Sequence, residues 1–414
     1  MSLAHELKQR GFIHQFSAES LEEIVDGQKR IIYHGIDPTA DSAHAGNFVN
    51  WMLLRHFVAA GHKVIFLVGG GTGMIGDPKP DVERTLSSVE DVALRVAKIK
   101  AQAERIFGGK DILFVNNADW LASLNLIEFL RDIGKHFTVN ELVKKEAIAQ
   151  RIAGENGISY TEFAYPLLQA YDYLTLNRLH GCDLQVGGSD QWGNMVAGID
   201  LIRRMEQKQV HVVTIPLIVD KATGKKFGKS EGNAIWLDAE KTTPYQFFQF
   251  WLNISDESVI DYLKLFTDLS LSEIADIERT MIANPGGRAA QKTLAYAVTT
   301  IVHGEGNAQS ASSVSELLFG DKQISELSDE EQEVLLNNAP VTPVEVGEAL
   351  VDVLVKSSLA TSKREARTFI ESGAISINDV RISDTEISLE ENLFNGSLAL
   401  LRRGKKQVTV LKKN

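Results

Sequence analysis

The alternation between residues 30 and about 219 constrains this chain most: short β-branched or apolar runs are separated there by segments of helical periodicity. Strands spaced by a helix-length segment cannot pair as tight hairpins and are joined by crossovers, so the pattern predicts an α/β fold with a parallel sheet and covering helices. The runs are 31–33, 64–68, 112–115, 184–186 and 210–219. One covering helix is expected over 87–107, where Val92, Val96, Ile99, Ala103 and Ile106 share a face and Ser87 with Glu90 reads as a capping box.

Beyond about Pro244 the strand signal fades, and helical segments punctuated by Ser255, Ser270 and the Pro285-Gly286-Gly287 break predict an all-helical domain. Residues 321–348 hold eight acids and one lysine, with Pro340 and Pro343, the composition of a solvated linker. A helix near 346–356 follows. A second capping box at Ser362 and Glu365 then opens a helix that Gly373 stops, before short strands and a basic end. The expected domains are 1–235, 236–320, an acidic linker at 321–345, and 346–414.

Composition narrows the function. The formal charge of −12 over 414 residues argues against indiscriminate coating of nucleic acid, so any basic site must be local. Residues after 360 carry ten basic and seven acidic groups, which leaves −15 for the rest. Cys182 is the single cysteine, which excludes an internal disulfide or multi-cysteine zinc site and suits a reducing cytoplasm. The N-terminus has no apolar core of a secretory signal. The longest uncharged apolar stretch, 64–76, has 13 residues, short of the roughly 20 a spanning helix needs, so no membrane role is expected.

Two glycine-rich segments bear on ligands. Gly71-Thr72-Gly73-Met74-Ile75-Gly76 has the spacing of a dinucleotide fingerprint, but Asp77-Pro78 follows at once; proline disfavours helix at the residue before it, and an acid there repels pyrophosphate. Glycines that let backbone pass close to a ligand or a neighbouring strand are the alternative. Gly224-Lys225-Lys226-Phe227-Gly228-Lys229-Ser230 is one residue short of a phosphate-cradling loop, yet its cations suit an anion; alone it reads equally as a solvated basic turn. After the first run, residues 33–47 are dense in small hydrogen-bonding side chains. His44 and Asn47 share a helix face beside the bare backbone of Gly46, so a base could rest there while both side chains donate to phosphate; a capping pair is the plain alternative.

This segment and Lys226-Phe227-Gly228-Lys229-Ser230, about 180 residues later, resemble the paired HIGH and KMSKS motifs of class I aminoacyl-tRNA synthetases. Tyr33-x-Gly35-x-Asp37-Pro38-Thr39, Gly76-Asp77-Pro78, Tyr165-Pro166-Leu167-Leu168-Gln169-Ala170-Tyr171-Asp172 and Gly187-Gly188-Ser189-Asp190-Gln191-Trp192-Gly193-Asn194 are similar to the bacterial tyrosine branch of that class. The resemblance runs nearly end to end. It implies a doubly wound, Rossmann-like nucleotide-binding domain, a helical anticodon-side domain, and a small α+β C-terminal module similar to the RNA-binding domain first named from the fourth ribosomal small-subunit protein. Such enzymes join tyrosine to ATP, release pyrophosphate and pass the tyrosyl group to the terminal adenosine of tRNA.

By resemblance, His44 and Asn47 contact the ATP phosphates, Thr39 assists at the γ-phosphate end, and Gly46 underlies adenine. Lys226, Lys229 and Ser230 close over pyrophosphate, while Asp190 and Gly188 hold the ribose; Gly35 and Asp37 belong to the ATP site. Asp77, Tyr165 and Gln169 bind the tyrosine ammonium with Thr72 close by, and Gln191 orients the carboxylate. Asp77, ill suited to pyrophosphate, suits an ammonium. Tyr33 and Asp172 meet the phenol, and an ionised Asp172 can only accept. The alternative for that pair is a direct Tyr–Asp hydrogen bond in the core.

The same resemblance implies ATP as co-substrate, Mg2+ arriving with it and no protein metal site, a homodimer, and tRNA contacts from Ser362, Lys363, Arg364, Arg367, Arg402, Arg403, Lys405 and Lys406. Solvated surface charge is the alternative for each of those. Asn47 for histidine, Phe227 and Gly228 for Met and Ser, and the few lysines near Lys79 and Arg84 depart from the family pattern. A tryptophan enzyme of the same class and a non-catalytic RNA-binding descendant are the rival readings.

Overall fold

The computed structural model describes residues 2–79, 83, 85–109, 112–154, 157–219, 221, 224, 227, 229–230, 233–404 and 407–414. Six strands build the first sheet: β1 (Gln15–Phe16), β2 (Ile31–Ile36), β3 (Lys63–Val68), β4 (Ile112–Asn116), β5 (Leu184–Gly188) and β6 (His211–Ile215), in the order β1-β6-β5-β2-β3-β4. All neighbours are parallel except the short β1, which runs antiparallel to β6. The chain winds from β2 out to β4, then restarts at β5 on the other side of β2 and winds to β6. That reversal makes the sheet doubly wound and opens a crevice at the carboxyl ends of β2 and β5.

The five expected runs all become strands, and the deviations have local causes. The last run stops at Ile215 because Pro216 cannot donate to the ladder. The covering helix Val89–Phe107 is capped by Ser88, whose side chain accepts from the Asp91 N–H, so the box expected at Ser87 and Glu90 sits one residue later. Cys182 is fully buried, and burial pushes its thiol well above the usual range.

The chain divides into two compact units, residues 1–242 with 254–294, and residues 243–253 with 295–414. The all-helical stretch is present as Pro244–Leu252, Asp256–Phe266, Leu271–Ala283, Ala289–His303 and Glu305–Phe319, but its members are shared between the units. In the first unit, buried Arg10 donates to the carbonyls of Lys264 and Leu269, and Phe48 stacks on Phe266.

A short antiparallel pair, β7 (Lys229–Ser230) and β8 (Asn233–Ala234), follows the first sheet. The second unit carries β9 (Val341–Val344), β10 (Ile375–Ile377), β11 (Val380–Ile382), β12 (Leu398–Arg403) and β13 (Gln407–Lys413), ordered β11-β10-β12-β13-β9. Helices Leu350–Lys356 and Lys363–Glu371 close its core through Leu350, Val353, Leu354, Ala366 and Ile370. Ser362 does cap the second helix, but Glu365 reaches the N–H and hydroxyl of Thr361 instead of returning to Ser362.

The segment expected to be an acidic linker is structured. Ser328 and Glu331 form a capping box for helix Asp329–Asn338, and Leu335, Ile324 and Leu327 are buried. Asp329, Glu330 and Glu331 crowd the helix N-terminus, where the macrodipole favours acids. Val341–Val344 then pairs in parallel with β13. Charge density misled because it counts the exposed face and ignores the sparse apolar positions opposite.

Arg402 also departs from expectation. It is buried: its two Nη groups donate to the carbonyls of Leu317 and Leu318 at the end of helix Glu305–Phe319, and its Nε lies 3.3 Å from Asp379. It therefore satisfies a helix C-terminus and does not face a phosphate. Arg402→Met should cost about 2–4 kcal/mol in urea unfolding, since two carbonyls and a carboxylate lose their partner. A loss under about 0.5 kcal/mol would mean the guanidinium is not needed there.

Candidate functional site

The crevice holds a cavity of about 320 Å³, lined from β2, the turn after it, helix Ala45–Ala59, helix Tyr160–His180, β5 and the segment 188–191. Tyr33, Gly35, Asp37, Thr39, His44, Gly46, Asn47, Thr72, Asp77, Tyr165, Gln169, Asp172, Gly188, Asp190 and Gln191 all line it, although they are spread over nearly 160 positions.

Helix Tyr160–His180 sets one wall. Tyr165, Gln169 and Asp172 recur at intervals of four and three and so project from one face. Asp172 accepts from the Asn117 Nδ2 at 2.9 Å and the Trp120 indole N–H at 2.7 Å. Burial pushes its carboxyl up to about 7, and those two donors oppose the shift. Asn117 also donates to the Thr72 hydroxyl and accepts from the Gly71 N–H, so one buried amide ties the glycine-rich turn to the carboxylate.

Tyr33 does not bond Asp172. Its hydroxyl accepts from the Gln185 Nε2 at 2.9 Å, because Tyr33 and Gln185 are register partners on β2 and β5. The direct pair that would have made both groups core structure is therefore not what the fold builds.

Asp77 accepts from the Gln191 Nε2 at 2.8 Å and the Asn194 Nδ2 at 3.2 Å, and burial pushes it up to about 6. Asp37 accepts from the Tyr165 hydroxyl at 2.8 Å and the Thr72 hydroxyl at 2.7 Å, which draws it toward the residues expected at the amino-acid end of the site. Gln169 Oε1 is buried with no hydrogen-bond partner among the described residues. An acceptor left so in a cavity that Asp77 and Asp172 also line suits a cationic donor.

His44 and Asn47 do form a capping box: His44 Nδ1 accepts from the Gly46 N–H at 3.0 Å, and Asn47 Oδ1 accepts from the His44 N–H at 3.1 Å. The cap and the ligand reading coexist. With Nδ1 an acceptor, a neutral ring carries its proton on Nε2, and Asn47 keeps its amide nitrogen as a donor. Gly46 is required in part by the cap itself, since a Cβ would stand 2.9 Å from the His44 ring. At Gly188 a Cβ would lie 2.4 Å from Asp190 Oδ1.

Lys226, Arg84, Lys405 and Lys406 lie outside the described residues, and for Lys229 and Ser230 only the backbone pairing with Ala234 and Asn233 is described. Phe227 is buried against Tyr262 and Phe266, with ring centroids at 4.8 and 5.2 Å, so the aromatic departure at this position packs on helix Asp256–Phe266. In the other unit Ser362 caps its helix, Lys363 pairs with Asp352, and Arg403 donates to Leu359 O and lies over Phe369. Arg364 and Arg367 reach the surface of that helix, apart from its buried face of Ala366 and Ile370.

Several lining or supporting residues were missed from the sequence: His34, Asn117, Trp120, Gln185 and Asn194. His34 lines the cavity with Nδ1 3.2 Å from Val186 O, and burial lowers it to about 4, so it is neutral near pH 7. A single amide inside the apolar run Leu184-Gln185-Val186 was the available signal for Gln185.

A family model described as class I tRNA synthetases (W and Y) matches residues 26–320, and one described as the tyrosine–tRNA ligase C-terminal domain matches 331–411. The chain is 49% identical to tyrosine–tRNA ligase 2 of Enterococcus faecalis, over 98% of each. It is 48% identical to the tyrosine–tRNA ligase of Streptococcus mutans, over 99% of this chain and all of that one. Among solved structures, a C-terminally truncated mitochondrial tyrosyl-tRNA synthetase of Aspergillus nidulans superposes with a TM-score of 0.69 and 29% identity, covering 75% of this chain and 92% of the other.

Proposed function

We infer, from the premise that the chain belongs to the class I tRNA synthetases for tryptophan and tyrosine, that it is a tyrosine–tRNA ligase whose crevice binds tyrosine and ATP side by side. The tyrosine-type C-terminal domain and the near-full-length tyrosine relatives carry tyrosine over tryptophan; what carries tyrosine over phenylalanine is Asp172, a buried carboxylate fixed by Asn117 and Trp120 in a cavity that Tyr33 also lines. An ionised carboxylate accepts from a phenol, which phenylalanine cannot supply. Discrimination of ~10⁵ against phenylalanine is the known behaviour of tyrosine enzymes of this family and is not an outcome predicted from this geometry.

The ammonium of tyrosine meets Asp77, Tyr165 and the unpartnered oxygen of Gln169, with Thr72 beside them, and Gln191 orients the carboxylate. That carboxylate, ionised at pH 7, attacks the α-phosphate of ATP; an O–P bond forms as the P–O bond to pyrophosphate breaks. No protein nucleophile is needed, so catalysis is positioning plus stabilisation of leaving charge. His44 Nε2 and the Asn47 amide nitrogen donate to the phosphates, Thr39 assists at their far end, Gly46 and Gly35 adjoin the nucleotide, and Asp37, held by Tyr165 and Thr72, stands between it and the amino acid. Asp190 and Gly188 take the ribose, and Lys226, Lys229 and Ser230 act on pyrophosphate. A hydroxyl of the terminal adenosine of tRNA then attacks the tyrosyl carbonyl and releases AMP.

Mg2+ arrives bound to ATP. Bound there, the ion would supply charge neutralisation at the phosphates, whose hard oxygens suit it. For tRNA, Arg364 and Arg367 on helix Lys363–Glu371 are the best-placed cations, with Lys405 and Lys406 further along the basic end of the chain. The enzyme acts as a cytoplasmic homodimer; exposed Leu126, Ile127 and Leu130 on helix Leu126–Asp132 offer a second copy apolar contact. No helix among the described residues is long and apolar enough to cross a membrane.

Amino-acid-dependent exchange of pyrophosphate into ATP tests this reading. Tyrosine should drive exchange at least about 10³-fold better than tryptophan or phenylalanine. A chain ending at Ala339, before β9, should keep that exchange and lose tRNA charging. Stimulation by tryptophan alone would refute the assignment, and loss of exchange on truncation would mean the C-terminal module supports catalysis.

A further inference from the structure

Arg151 and Glu162 form the most deeply buried ion pair of the described residues, their side chains 3% and 2% exposed. Arg151 lies in helix Glu146–Ala153 and Glu162 in the first turn of helix Tyr160–His180. The Nη2–Oε2 distance is 3.0 Å, and Nη1 also donates to Oε1 at 3.3 Å. Replacing such a pair by well-packed apolar side chains is often neutral or stabilising, so stability alone does not account for it.

Two further contacts point to another role. Arg151 Nε donates to Gly157 O at 2.9 Å, and Nη1 donates to Lys79 O at 3.2 Å. Lys79 is separated from Asp77 only by buried Pro78, whose locked φ makes a stiff link. On the other side of Asp77 stands Gly76, at φ +83°, which is permissive backbone. The aim of the Asp77 carboxylate at Gln191 and Asn194 therefore depends on what holds the chain downstream, and Arg151 does that from within the protein.

We propose that Arg151, itself held by Glu162, is a positioning residue for the ammonium site: by gripping the Lys79 carbonyl it fixes Asp77 in register with the amino group of the substrate. The proposal rests on the reading of Asp77 as the ammonium partner. A planar guanidinium can serve Glu162, Gly157 and Lys79 at once in a fork that a lysine cannot reproduce.

Full-length Arg151→Met, Glu162→Leu and the double variant test it, each measured for thermal midpoint and for tyrosine and ATP KM in pyrophosphate exchange. Arg151→Met should lower the midpoint, because buried Glu162 loses the guanidinium beside it, and should raise the tyrosine KM about ten- to hundredfold with ATP KM within about twofold. The double variant should regain the midpoint and keep the tyrosine defect, since the Lys79 carbonyl remains ungripped. Recovery of both together in the double variant, or an unchanged tyrosine KM in Arg151→Met, would overturn the proposal. Wild-type exchange that ignores tyrosine would instead remove the reading of Asp77 on which it rests.

Discussion

Asp172→Asn should lower kcat/KM for tyrosine on the order of 10³-fold in pyrophosphate exchange, with ATP KM within about twofold. The carboxylate accepts from Asn117 and Trp120, one donor on each oxygen, and still has lone pairs for a phenol. An asparagine keeps the volume but turns one of those acceptors into an NH₂ that faces a fixed donor. The substrate hydroxyl loses a charge-assisted bond of about 1.5–3 kcal/mol, and an orphaned buried donor costs a further ~1–3 kcal/mol. The free enzyme should lose about 1–3 kcal/mol of stability as well, because Asn117 or Trp120 is left facing an NH₂ with or without substrate. A loss of less than about tenfold in kcat/KM would show that Asp172 does not meet the phenol.

Tyrosine affinity should collapse on acidification, by on the order of 10³ between pH 8 and pH 5. Asp172 titrates at about 7 and Asp77 at about 6, both raised chiefly by burial, and both must be ionised to receive a phenol and an ammonium. Log Kd should rise with unit slope as pH falls below about 7 and steepen below about 6. His34, at about 4, lies beneath this window. The same shifts act oppositely on the free protein. Because the folded acids titrate above their unfolded values, the folded state holds protons the unfolded chain has lost; the stability so contributed is complete below about pH 4 and is lost as pH rises through 6 and 7. Calorimetric titration across this range, beside thermal unfolding of the free enzyme, checks both signs. A pH-independent Kd would place the two carboxylates outside the tyrosine site.

The misfit of a dinucleotide reading was legible at Asp77, because an acid next to pyrophosphate is a conflict between one charge and one ligand that needs no third dimension. The strand runs were legible because buried parallel strands are apolar on both faces. Asn117 and Trp120 were not, because an amide and an indole after β4 acquire meaning only when Asp172, more than 50 positions on, is packed against them. Arg402 misled in the other direction: a basic residue in a basic tail looked like a phosphate contact, and the fold spends it on two helix carbonyls.

What the sequence determined alone was whatever acts over a few residues or through hydrophobic period: the parallel strands, the helical segments and the cation-rich and glycine-rich stretches. Tertiary structure decided which strand lies beside which, and with it the order that reverses between β2 and β5, sets Tyr33 against Gln185, and brings Asp77, Asp172 and His44 to one cavity. The physical reason is range. Propensity and capping are settled within one or two turns of chain, whereas hydrogen bonds across a crevice and the burial that moves a carboxyl to about 7 exist only after distant segments exclude water from the same place.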